Sequence, residues 1–415
     1  MKNKISESMN YIGLGVAWAI FMFAIFFQPI QKNVISPIAS SIFPLHSLSD
    51  DELKNTHYEV FGFLPFWNFH NADNIDFDTL TTLAYFDVKL SPEGNLIKDD
   101  AGYQSFISEE ATRIFKKAHD NGTRVVLTLT LMNNTGIEAF LDDDEAQERA
   151  ISQSVRLVEQ RGIDGINIDI EYDGDAGDHY RDRFTIFADR MTRAMHKEVA
   201  SSQVTVSVYA SGAKYPKVQD IGDVARVTDG LFMMGYDFAI TSSDVAMPTA
   251  PLGGHKEGEY WYDISTAVDD FLAVMPADKL ILGTPWYGLN FEVYEPNFKA
   301  ETVYSYWYGR RGKIATYDDV KNTAADMSGW DSLGKVSWKA YYNEASGTWR
   351  MMFIDDVRSM GAKYDLAKDK QLLGVGIWAL GYEGNNRETW DLIEAKFGNK
   401  IADIRILEKP IYELL

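Results

Sequence analysis

The chain has 415 residues, 46% of them hydrophobic and 13% aromatic, enough to bury one large barrel core or roughly two to three ordinary domains. Forty Lys and Arg against 61 Asp and Glu leave a net charge of −21, which repels nucleic acid and anionic surfaces and argues against a nucleic-acid partner. The absence of cysteine excludes disulfides, thiol catalysis and zinc–thiolate sites without fixing the compartment.

From Tyr11 to Phe27 no charge interrupts the sequence, and Gln28 to Ile30 extend the run to the roughly 20 residues that cross a bilayer. The following FFQPIQK lacks the small-residue pair of a signal-peptide cleavage site, so the reading is an uncleaved transmembrane anchor over 11–30. Lys2, Lys4 and the terminal amine precede it and only Lys32 closely follows. Positive-inside bias therefore puts residues 1–10 in the cytoplasm and the rest of the chain on the extracytoplasmic side of the cell membrane, or secretes it if the segment is cleaved. Residues 31–57, broken by Pro37 and Pro44 and acidic at Asp50 to Glu52, suit a linker.

Eight apolar, β-rich runs follow: YEVFGFLPFW from Tyr58, LTTLAYFDV from Leu80, RVVLTLTLM from Arg124, GINIDIE from Gly165, VTVSVYA from Val204, GLFMMGYDF from Gly230, KLILGTPWYG from Lys279 and LLGVGIWALGY from Leu372. Helical patterns separate them: Phe106, Ala111, Ile114, Phe115 and Ala118 before Gly122; Ile151, Val155 and Val158 before Gly162; then His179 to Val199 and Asn386 to Phe397. This alternation predicts the α/β class, a (β/α)8 TIM barrel over 58–398. The long gap between the seventh and eighth strands predicts a small α+β insertion over 289–350, with strands in VYSYWYGRRGKIATY, KVSWKAYYN and GTWRMMFI and a helix from near Asp355. A tail, 399–415, closes the chain.

The fourth strand carries the strongest chemical signal. In GIDGINIDIEY, Asn167, Asp169 and Glu171 alternate with Ile166, Ile168 and Ile170, so the polar side chains share one face. A row of acids is costly to bury unless partnered or shifted in pKa, and it predicts a wet or reactive surface. A solvated sheet face would show the same alternation. A cation site is the other alternative, because Asp173, Asp175 and Asp178 follow, but their spacing does not fit a calcium loop and no metal is expected. Barrel chemistry collects at the C-terminal strand ends, where Glu171, Tyr236, Asp237, Trp378, Trp67, Trp286 and Tyr287 fall together. Any one aromatic there could be core packing. The 10 Trp and 22 Tyr also suit stacking on sugar rings.

These residues resemble glycoside hydrolase family 18, the chitinase-like barrels. Asp164, Asn167, Asp169 and Glu171 match its DxxDxDxE signature as DGINIDIE, supported by MGYD at Met234–Asp237, PWYG at Pro285–Gly288 and GVGIWALGYEGN from Gly374. The resemblance covers about Tyr58 to Gly398, and the GTW…DD…S…KY pattern from Gly347 looks most like bacterial spore and cell-wall N-acetylglucosaminidase-type members. Two positions depart from the pattern. Asn167 replaces an acid and removes one charge from the set that would raise its neighbours' pKa, and LTLTLMNN from Leu127 stands where the family has an SxGG segment.

Asp169 and Glu171 project from one strand wall and cannot easily flank a glycosidic bond, so a single acid working with a nucleophile from the substrate is the expected chemistry. The resemblance implies Glu171 as general acid and base, Asp169 and Tyr236 as orienting groups for a 2-acetamido substituent, and Trp378 as the platform under the sugar. Asn167, Asp237, Trp67, Trp286 and Tyr287 are further substrate contacts, and Asp164 is a structural residue of the motif. The expected partner is an aminosugar polysaccharide or oligosaccharide, chitin oligomers or peptidoglycan, with no cofactor. An inactive, sugar-binding lectin is the competing reading.

Overall fold

The computed structural model describes residues 46–49, 53, 58–304 and 312–398. The anchor expected at 11–30, most of the linker at 31–57 and the tail 399–415 lie outside them. Among the described residues no helix is long and apolar enough to cross a membrane.

Eight parallel strands close into a barrel: β1 (Glu59–Pro65), β2 (Thr82–Lys89), β3 (Arg124–Leu131), β4 (Gly165–Ile170), β5 (Gln203–Tyr209), β6 (Gly230–Met234), β7 (Leu280–Pro285) and a last strand that pairs with both β7 and β1. Each arises from one of the eight predicted runs. Their outward residues, such as Ile166, Ile168 and Ile170, are buried against the helical layer. Phe61, Phe63, Ala84, Phe86, Val126, Phe232 and Ile281 fill the barrel interior. Phe232 claims the centre so fully that a Cβ on Gly376 would lie 2.1 Å from its ring, so this close approach requires glycine.

The predicted helices appear as Glu109–Asp120, Asp144–Arg161, Asp178–Glu198 and Glu388–Phe397. The first starts later than the apolar pattern suggests, because Ser108 accepts the Ala111 amide at 3.1 Å and caps a new helix, leaving Phe106 at the end of a separate short one. Gly162 ends Asp144–Arg161 in the left-handed conformation, φ 60°.

Between β7 and the last barrel strand lies an antiparallel sheet of β8 (Tyr287–Val293), β9 (Gly312–Thr316), β10 (Met327–Asp331), β11 (Val336–Asn343) and β12 (Thr348–Ile354), in the order β10-β11-β12-β8-β9. β13 (Gly374–Trp378) then completes the barrel. The insertion is thus wider than 289–350: Tyr287 opens it and Ile354 ends its last strand. Leu289, Phe291, Met351 and Phe353 pack on Ala239 and Ala246 of the loop after β6, so the insertion braces the segment that carries Asp237. The DD…S…K pattern has a structural cause. Asp356 caps helix Val357–Asp369 through the Arg358 and Ser359 amides, and Asp355 forms a fully buried ion pair with Lys363.

Candidate active site

A cavity of about 190 Å³ opens at the C-terminal rim of the barrel. β4 supplies Asp169 and, one residue past its end, Glu171; β5 supplies Ser207 and Tyr209. Tyr236 and Asp237 follow β6, and Trp378 ends β13. Phe63 and Phe86 form an aromatic floor under Trp378, whose ring meets Phe86 edge-on at 4.7 Å and Phe63 at 5.5 Å. A groove of about 600 Å³ continues over β2 and β3, sharing Phe86 and Met132 with the cavity and flanked by Trp67, Asp87 and Lys89.

The acids differ in environment. Asp169 is 4% exposed and its Oδ1 has no hydrogen-bond partner. Burial, then the charges of Glu171 and Asp87, hold its pKa well above the usual carboxylate range, against a smaller stabilisation by Ser207. Glu171 is half-buried, and its pKa is raised by burial, lowered by a hydrogen bond from Tyr209 and raised again by Asp237. Tyr236 is pushed far above an ordinary phenol by burial and by Asp237, Asp169 and Glu171, which keeps its hydroxyl a donor. Asp237 presents itself to the cavity at a positive φ of 61°. Its Oδ1 accepts from the Tyr287 hydroxyl at 2.5 Å and from Thr249 at 3.2 Å.

Glu171, Asp169, Tyr236, Asp237 and Trp378 therefore converge on one cavity, whereas other expected contacts do not. Asn167 is fully buried beneath it, donating to Thr205 at 2.8 Å and accepting from Ser207 at 2.9 Å, so it braces the wall and does not face a ligand. Trp286 is 0% exposed and packs edge-on against Trp390 at 5.1 Å, on the helical side of β7; its assignment as a substrate contact is corrected to core packing. Tyr287, 3% exposed, stands behind Asp237 and positions it. Trp67 is 48% exposed and lines the adjoining groove. Asp164 lies outside the cavity and ties the strand to its surroundings, accepting from the amides of Leu48 at 2.5 Å and Val125 at 2.7 Å, with His119 Nε2 at 2.8 Å. Asp175 of the acidic loop pairs with Arg181 at 2.5 Å, and among the described residues no cluster of acids and histidines could hold a metal ion.

Ser207, Tyr209 and Asp87 escaped the sequence reading. The first two were detectable: Thr205, Ser207 and Tyr209 repeat the two-residue period of β4 on the adjacent strand, where Thr205 is the register partner of Asn167.

A parallel eight-stranded barrel with a carboxylate-lined, aromatic-floored cavity at its C-terminal rim is the architecture of a glycosidase. The chain belongs to the glycosyl hydrolases family 18, whose profile matches residues 59–383. It is 26% identical over 307 residues to human (Homo sapiens) di-N-acetylchitobiase, covering 67% of this chain and 74% of that protein. In fold it is similar to a family 18 chitinase from Cycas revoluta solved with (GlcNAc)3, at TM-score 0.69, 19% identity and coverage of 82% and 99% of the two chains. The Bacillus megaterium spore cortex-lytic enzyme SleL superposes with TM-score 0.64 at 17% identity, covering 83% of this chain and 75% of that one. At these identities the two structures speak to the fold alone.

Proposed function

We propose that this chain hydrolyses glycans containing β-1,4-linked N-acetylglucosamine by a retaining, substrate-assisted mechanism. The observation that carries this reading is the pairing of Glu171 with a deeply buried Asp169 on one wall of the cavity, opposite the indole of Trp378. Two acids two residues apart on a strand cannot lie on both sides of a glycosidic bond, so the attacking group comes from the sugar. Glu171, whose pKa burial raises, donates its proton to the glycosidic oxygen while the 2-acetamido carbonyl attacks the anomeric carbon. Asp169 takes the acetamido N–H and offsets the oxazolinium charge, and Tyr236 holds the carbonyl oxygen. Glu171, now a carboxylate, then deprotonates the water that opens the ring with retention.

The relatives' names support the substrate class: one is a di-N-acetylchitobiase and another was solved with (GlcNAc)3. The cavity suits one sugar unit over Trp378, and the groove bounded by Trp67 takes its neighbour. We further propose that residues 11–30 tether the barrel to the extracytoplasmic face of the cell membrane, where peptidoglycan is a substrate as accessible as chitin oligomers. In the test, Glu171→Gln lowers turnover of N-acetylglucosamine oligomers by about 10² to 10⁴ with binding kept, measured as released reducing ends. Turnover within about tenfold of the parent sinks the reading. A parent that binds the oligomers but releases nothing is the lectin instead.

A further inference from the structure

Strict alternation along β2 sends Thr82, Ala84 and Phe86 into the barrel and Asp87 outward. The pairing with β3 breaks that alternation. Tyr85 pairs with Leu127 and Val88 with Leu129, so Phe86 and Asp87 together oppose Thr128 alone. Such a two-against-one bulge re-aims a side chain, and here it turns Asp87 towards the barrel mouth, 4% exposed, where it also edges the groove. Asp87 Oδ2 accepts from Thr130 Oγ1 at 2.5 Å, and Thr130 is the register partner of Asp169. The bulge thus delivers a buried acid from β2 to the neighbourhood of a buried acid on β4 whose Oδ1 has no partner. Beneath Asp169, where the signature carries an acid, stands Asn167, a neutral amide engaged by Thr205 and Ser207.

We propose that Asp87 is the positioning acid of Asp169: the two share one proton, and Asp87 takes from β2 the part left open by the amide at 167. The proposal rests on the substrate-assisted reading above. Asp87 faces Thr130 on β3, Asp169 on β4, Lys89 on its own strand and Asp100 beyond it. Asp169 faces Glu171, Asp87, Ser207 and Tyr236. Two ionised carboxylates in this dry wall repel, so one proton stays between them. Burial raises the pKa of Asp87 as well, but Thr130 and Lys89 oppose that rise, whereas Asp169 is held well above the carboxylate range by deeper burial and by Glu171, so in the free site the proton rests on Asp169. An acetamido N–H and the growing oxazolinium charge favour the Asp169 anion, and the proton passes to Asp87. No co-reactant enters and nothing leaves.

The experiment compares Asp87→Asn, Asn167→Asp and their double variant by kcat, KM and the pH profile of kcat/KM on N-acetylglucosamine oligomers, with Glu171→Gln in parallel. Asp87→Asn is expected to lower kcat at least about tenfold with KM within about threefold. It should also move the acidic limb to higher pH: in the parent that limb reports protonation of Asp87 beside an already protonated Asp169, whereas the variant turns over only once Asp169 itself has ionised. Asn167→Asp in the double variant restores most of the rate and returns the limb. A rate within about threefold of the parent, a loss with an unmoved limb, or a loss that Asn167→Asp leaves unrelieved overturns the assignment. Should Asp87→Asn fail to fold, Asn167→Asp alone decides: a third acid beside the shared proton moves the limb upward, and an unmoved limb overturns the proposal. Persistent hydrolysis by Glu171→Gln would instead sink the underlying reading, whatever Asp87 does.

Discussion

At the residue scale, the site works by pulling the pKa of one carboxyl in two directions. Burial raises Glu171 and Asp237 raises it further, while the Tyr209 hydroxyl donates to its anion and pulls it down. In the proposed mechanism Glu171 must be protonated to act as acid, so activity is expected to fall as pH rises through its pKa. Tyr209→Phe removes the donor and should shift the alkaline limb of kcat/KM to higher pH. Asp237→Asn removes a like charge and should shift it lower, and profiles of the two variants side by side check both signs. If the limb stays put in both, it belongs to another group. Parity along a strand decides which residues reach this cavity at all. On β7, Leu280 and Leu282 point to the helical core and Ile281 into the barrel, and continued alternation carries Trp286 outward. On β13, Val375 and Ile377 point outward, which leaves Trp378 at the mouth. The sequence held enough to separate the two tryptophans, because both runs alternate without interruption from strand to rim.

At the scale of elements, the barrel strands were legible because strands buried on both faces read as continuous apolar runs with their own turn signals. The insertion was less so. β10, exposed along much of its length, carries no such run, and β8 follows β7 after Trp286 alone, so the two strands read as one. The β2 bulge left no trace, since Thr82 to Val88 alternates acceptably and only pairing with β3 shows that Asp87 turns inward. A further buried acid ties β13 to the last helix. Glu383 is 1% exposed, accepts from Trp390 Nε1 at 3.0 Å, and has its pKa pushed up by burial to about 7. The folded chain thus holds a proton that the unfolded chain releases near the ordinary glutamate value of 4.5. Its contribution is fully present below that value and is lost as pH rises towards about 7. Glu383→Gln keeps the acceptor without the titration. It is expected to flatten the decline in stability across that window and to gain on the order of 2–4 kcal/mol at alkaline pH, read by denaturant unfolding at acidic and alkaline pH. Equal pH slopes for parent and variant would mean that Glu383 ionises in the folded state as easily as in water.

Over the whole molecule, the same excess of acid that repels nucleic acid also bears on the choice of glycan. A net charge of −21 sets a negative field around the barrel, and the mouth adds the carboxyls of Asp87 and Asp237 at short range. Lys89, the cation bordering the groove, is engaged by Asp100 at 2.8 Å and offers little net attraction. A neutral N-acetylglucosamine oligomer crosses this field at no cost, whereas a peptidoglycan strand bearing free carboxylates is repelled until salt screens it. The screening length falls from about 30 Å at 0.01 M to about 8 Å at 0.15 M. Raising ionic strength across that range should therefore increase kcat/KM on carboxylated peptidoglycan fragments severalfold, through the encounter step, with little change on neutral oligomers. Parallel rates on the two substrates in the same buffers check this. An equal response would show that charge does not select the glycan; a rise confined to the anionic strand would mean that, in dilute salt, the protein's own field biases it towards neutral chitin-type chains.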